Sequence, residues 1–155
     1  MSKSSSEILE RATTIAVVGA SRDANKAGGS VPAGLQQRGF RIIPINPFAD
    51  TLFGERVYRS LSEVPVKIDI VDVFRPSQEA PDLARQAVDI GAKVFWCQLG
   101  VISEEAAGIA RGKGLEVVMD RCCKIEHARF FGGLRTIGLN TGVVTSRLAM
   151  KIPEG

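Results

Sequence analysis

Short apolar runs, the first of them continuously β-branched, recur along this chain, separated by stretches whose apolar residues fall at helical spacing. "TIAVVG" (Thr14–Gly19), "FRIIPIN" (Phe40–Asn46), "KIDIVDVF" (Lys67–Phe74), "AKVFWCQLG" (Ala92–Gly100) and "LEVVMD" (Leu115–Asp120) are the runs. Near-continuous apolar segments of this length suit strands buried on both faces, which is the setting of a parallel sheet. Parallel neighbours need a crossover, usually a helix, so the alternation predicts an α/β fold with a parallel sheet of about five strands and helices on both faces.

Local signals place the helices. Ser30 is a candidate cap with Pro32 close to the first turn, and Gly39 is placed to end that helix. Ser77 and Ser103 are caps for two later helices, with Gly91 stopping the first and Glu104 and Glu105 at the positive end of the second. Glu7–Thr13 reads as a short helix after a frayed Met1–Ser6, and Phe48–Pro65 as a connector with one helical turn near Ser62. Pro44 cannot donate to a ladder, so the second strand belongs near an edge or bends there. Residues 131–155 show no clean period and read as a docked tail or an interface arm, both of which leave room for a homo-oligomer.

A chain of 155 residues makes one domain of ordinary size. A net charge of +3 is too small and too scattered to argue for nucleic acid, and the basic "RCCKIEHAR" lacks interleaved aromatics. No run approaches the ~18 apolar residues of a membrane span. The N-terminus has no signal-peptide core, and three cysteines (Cys97, Cys122, Cys123) without metal-ligand spacing read as reduced thiols of a cytoplasmic protein.

In open α/β sheets ligands bind beyond the carboxyl ends of the strands, where strand order reverses. The candidate site residues all follow such ends: Gly19, Ala20, Ser21, Arg22 and Lys26 after the first strand, and Asn46 and Pro47 after the second. Phe74, Arg75 and Pro76 follow the third, and Gln98 and Gly100 the fourth. Gly19 permits a tight turn, and the amides beyond it, the Ser21 hydroxyl and a helix N-terminus suit a phosphate. Lys26 offers a mobile charge and Arg22 or Arg75 a planar fork. On its own the loop is equally a plain strand–helix turn with a solvated cationic rim.

The dinucleotide fingerprint is missing: the second and third glycine positions hold Ser21 and Ala24, and Asn46-Pro47 stands where a ribose-binding acid belongs. Lys26 is followed by Ala27, so the Walker pattern is absent too. Together, "VVGAS…K…G", "PINP", "YRSL", "VFRP", "WCQLG" and "VVMDRCCKIEH" resemble the stand-alone CoA-binding domain proteins. Those are similar to the N-terminal CoA-binding domain of the succinyl-CoA synthetase alpha subunit.

The resemblance spans about Ile8 to Phe130 and implies a Rossmann-like domain, residues 8–130, that binds coenzyme A or an acyl-CoA. It places Gly19, Ala20, Ser21 and Arg22 against the phosphates with Lys26 as partner, and Asn46 and Pro47 along the nucleotide or pantetheine path. Phe74, Arg75 and Pro76 flank the adenine side, and Gln98 and Gly100 form the far wall.

It also implies binding without catalysis, because the synthetase works through a phosphorylated histidine in a second domain that has no match here. His127 lies near Cys122 and Cys123, but no orienting third group or oxyanion site can be named, which favours a structural role. Trp96 and Phe95 read as core, Cys97 as able to face the ligand, and Asp69 and Asp72 as interrupting an edge or meeting a basic neighbour. A Rossmann-type enzyme using NAD(P) or another nucleotide, and an interaction subunit with a vestigial pocket, are the competing readings.

Overall fold

A computed structural model describes residues 4–131. Five parallel strands form the main sheet: β1 (Thr14–Val18), β2 (Arg41–Ile45), β5 (Ile70–Val73), β6 (Val94–Cys97) and β7 (Glu116–Val118), in the spatial order β2-β1-β5-β6-β7. Between β2 and β5 lie β3 (Thr51–Leu52) and β4 (Glu55–Arg56), a small antiparallel hairpin. Counted along the main sheet the order is 2-1-3-4-5, so the chain winds outward from β1, returns to β5 and winds the other way. The gap between the ends of β1 and β5 is the switch point. This is the α/β Rossmann-like architecture expected.

Each strand sends alternate side chains to opposite faces. Ala16, Val18, Ile43, Val71, Val73, Phe95 and Cys97 point to one core, closed by α3 (Ala80–Asp89) and α4 (Glu104–Gly112). Ile15, Val17, Ile42, Ile70 and Trp96 point to the other, closed by α1 (Ser5–Arg11), α2 (Ala27–Gln37) and α5 (Cys123–Phe131). Trp96 and Phe95 are fully buried, and the Trp96 indole donates to the Arg121 carbonyl at 2.7 Å.

Pro44 sits on β2, which is an edge strand of the main sheet. Its carbonyl points away from β1 and accepts from the Tyr58 amide at 3.1 Å, so the donor that proline lacks would have faced outward. A 3₁₀ turn at Leu61–Glu63 contains Ser62. Ser103 caps α4 by accepting from Ala106 at 3.1 Å.

Several local readings shift. Helix α1 begins at Ser5 because Ser4 and Glu7 form a reciprocal capping box. Helix α2 begins at Ala27 with Lys26 at its N-cap position, so Ser30 is not the cap and Pro32 lies inside the helix. Ser77 opens a 3₁₀ turn ahead of α3, and its hydroxyl accepts from the Ile102 amide at 3.0 Å.

Asp69 and Asp72 do not mark an edge, since β5 is the central strand. Asp69 stands at its foot, where its carboxylate accepts from the Thr13 amide and hydroxyl and the Thr14 amide, 3.6 Å from Lys93 Nζ. Burial opposes its charge, but those donors and Lys93 outweigh burial and hold its pKa low. The proposed tail lies outside the described residues, apart from Phe131, which ends α5.

Candidate functional site

The loops at the carboxyl ends of β1, β2, β5 and β6 surround a cavity of about 850 Å³ over the switch point. That volume falls in the ~300–1,000 Å³ range of small-molecule sites. Of the residues expected here, Gly19, Ala20, Ser21, Lys26, Asn46, Pro47, Phe74, Arg75 and Gln98 line it; Arg22, Pro76 and Gly100 do not.

One wall is made of backbone. Gly19 has φ +92°, and a Cβ there would stand 3.1 Å from the Phe74 carbonyl oxygen and from Cδ of Arg75. Only glycine lets the β1 and β5 loops meet in this way, with the Arg75 stem lying across the turn. At the start of α2, a Cβ on Gly28 would be 2.5 Å from the Gly19 carbonyl oxygen. These glycines do the packing that the fingerprint assigns to other positions.

Pro32 explains a further detail of this wall. Its missing N–H would have bonded the carbonyl four residues back, that of Gly28. That carbonyl instead accepts from the Ser21 amide at 3.0 Å. The Ser21 amide, expected to face a phosphate, is therefore engaged inside the loop, and the Ser21 hydroxyl accepts from the Asp23 amide at 3.0 Å.

Asn46 is likewise an organiser of its loop. Its Nδ2 donates to the Ala20 carbonyl at 2.8 Å, while Oδ1 accepts from the amides of Phe48 and Ala49. Arg59, which also lines the cavity, ties the same loop by donating to the carbonyls of Asn46 and Ala49 and to Asp50 at 3.0 Å. Sequence reasoning missed Arg59 as a site residue: it reaches the site through a loop 13 positions away, and no spacing rule reveals that.

The opposite wall is made of side chains. Arg75 pairs with Glu79 through Nε at 3.0 Å and Nη2 at 2.7 Å, and both residues line the cavity. Gln98 lines it too, while its Nε2 donates inward to Asp72 Oδ1 and to Cys123 Sγ at 3.3 Å. Asp72 is fully buried, and burial raises its pKa to about 7 against the hydrogen bonds from Gln98 and Cys123. Phe48 and Leu99 stand on the two lips, 88% and 60% exposed; Leu99 belongs to the loop expected after the fourth strand, and Phe48 is an addition to the expected site.

The thiols and the histidine lie elsewhere. Cys97 points to the α3–α4 core, where burial and the charge of Asp72 push its pKa to about 12. Burial also raises Cys122 and Cys123, which disfavours a thiolate at either. His127 packs edge-on against Phe40, ahead of β2 and thus at the other end of the sheet, with its pKa lowered by burial and Arg38. Among the described residues no three His, Cys, Asp or Glu side chains could hold a metal, and no helix is long and apolar enough to cross a membrane.

Known proteins are similar to this chain in fold and in sequence. A protein of Pyrococcus horikoshii OT3 superposes with a TM-score of 0.80 and 33% identity, covering 84% of this chain and 94% of its own. The Bacillus subtilis protein YneT is 42% identical over 122 residues, 79% of this chain and 90% of that protein. The ADP-forming acetate–CoA ligase II of Archaeoglobus fulgidus is 31% identical over 86% of this chain, which spans 20% of the ligase. The CoA binding domain family matches residues 13–128, most of the chain and every loop around the cavity, and the protein belongs to that family.

Proposed function

We propose that residues 8–130 bind coenzyme A or an acyl-CoA in the switch-point cavity, as a binding module without chemistry of its own. The observation that carries this reading is the cavity's charge and placement. Lys26, Arg59 and Arg75 line it against one carboxylate, Glu79, at the carboxyl ends of the strands in a CoA-binding family. Arg75 and Lys26 suit the phosphates, one as a fork and the other as a mobile point charge. The exposed apolar lips, Phe48 and Leu99, suit the ligand's adenine or pantetheine parts.

Thermal unfolding with CoA, acetyl-CoA, NAD, NADP and ATP tests the reading. A ligand at a hundredfold its dissociation constant stabilises by ~2.7 kcal/mol, which raises the midpoint by roughly 5–10 °C in a domain of this size. CoA or acetyl-CoA should give that shift. A midpoint moved by CoA no more than by an unrelated anion defeats the proposal, and a shift selective for NAD or NADP replaces it with the dinucleotide reading.

A further inference from the structure

The Arg75–Glu79 pair differs from the cavity's other cationic sites. Arg59 pairs with Asp50, whose side chain is 91% exposed and lies off the cavity lining. Lys26 has no ion pair among the described residues. Arg75 alone meets a carboxylate that itself lines the cavity. That carboxylate takes the Nε–Nη2 edge with both oxygens, as two oxygens of a phosphate would.

The backbone fixes both partners close to this geometry. The Arg75 stem is laid over Gly19, and Glu79 ends a 3₁₀ turn whose amide donates to the Pro76 carbonyl at 2.9 Å. Both side chains remain nearly half exposed, so the pair is weak enough to open.

We propose that Glu79 sets the affinity threshold of the Arg75 anion seat: its carboxylate occupies the Nε–Nη2 edge in the free protein, and a ligand phosphate takes that edge only by displacing it. The inference rests on the CoA reading for the ligand but concerns the seat. The competition lowers the affinity of every anion that uses this edge of Arg75 by one common factor. A lone phosphate is thereby pushed out of the useful range, while a ligand also anchored at Lys26 and the lips stays bound.

Calorimetric titration of CoA into wild type, Glu79→Gln, Arg75→Ala and the double variant tests this at one low salt concentration. Glu79→Gln should bind CoA about fivefold more tightly than wild type, the factor equivalent to an exposed pair of ~1 kcal/mol. In the Arg75→Ala background the same change should do nothing. Unchanged or weaker binding by Glu79→Gln overturns the proposal, and so does an equal gain in both backgrounds, which would make Glu79 a general source of repulsion.

A second titration needs no CoA. Inorganic pyrophosphate, followed by the NMR shift of the Arg75 Nε–H, should act at about fivefold lower concentration on Glu79→Gln than on wild type. If that difference holds but CoA does not bind wild type, the CoA reading falls and the seat stands. If CoA binds but the two proteins respond equally to pyrophosphate, the seat falls and the CoA reading stands.

Discussion

On the β1 side of the cavity, Gly19 and Gly28 press backbone against backbone, whereas on the β5–β6 side Arg75, Glu79, Gln98 and Asp72 hold one another by their side chains. The first wall has no room for added atoms, and its close contacts are between uncharged backbone groups. The second has room to rearrange, but its geometry depends on where charges and protons reside. A shape-bound wall should therefore answer to mass and a side-chain wall to pH.

The largest expected effect lies behind the second wall. With a folded pKa of about 7 against 3.8 when unfolded, Asp72 is neutral in both states in acid. As pH rises through 3.8 the unfolded chain ionises first, so stability falls until Asp72 ionises in the folded protein near pH 7, then levels off. Replacing Asp72 with Asn removes the penalty: three pKa units at ~1.4 kcal/mol each put the gain at up to about 4 kcal/mol above pH 7, and near zero at pH 4. Denaturant titrations of both proteins across that range check it; a gain independent of pH would show that Asp72 is not the titrating group.

On the first wall, Gly28→Ala forces a Cβ to within 2.5 Å of the Gly19 carbonyl oxygen. Overpacking of backbone against backbone should cost about 2–3 kcal/mol. The loss should be the same at pH 5 and pH 8, in contrast to the Asp72 effect. A variant as stable as wild type would mean that the loop yields, and the distinction between the walls would dissolve.

The smallest effect is also the most local. Pro32→Ala restores a helical donor that competes with the Ser21 amide for the Gly28 carbonyl. Stability should stay within about 1 kcal/mol of wild type, because the lost proline constraint and the gained donor oppose each other. Hydrogen exchange at Ser21 should quicken; unchanged protection there would show that the Ser21–Gly28 bond does not depend on Pro32.

The same contrast governs how much was legible in the sequence. β-branched runs locate all five main strands, because burial on both faces writes itself into consecutive residues. Ser103 and Pro44 are legible for a similar reason: a cap and a missing donor act within a few residues. The start of α2 is not, since contacts of Gly28 and Gly29 with the preceding loop set it and override the capping preference of Ser30.

The site divides likewise. Gly19 and Arg75 stand in motifs at strand ends. The roles of Arg59 and Asp72 arise only when separate segments meet, whereas Glu79 stands four residues after Arg75 and pairs with it locally. An acid in a strand read as an edge signal, and only the strand order puts Asp72 at the centre of the sheet. Helix α5 carries no strong periodicity of its own and exists by packing against α1 and α2.

Pro44 has a consequence for how copies of this fold can meet. An exposed edge strand is a template on which another chain can add its own strand. Beside Pro44 the outer edge of β2 offers no amide donor, and the carbonyl there is already taken by Tyr58. Strand-to-strand growth is blocked along this stretch, so a self-assembly that buries it must do so through side chains and not by extension of the sheet.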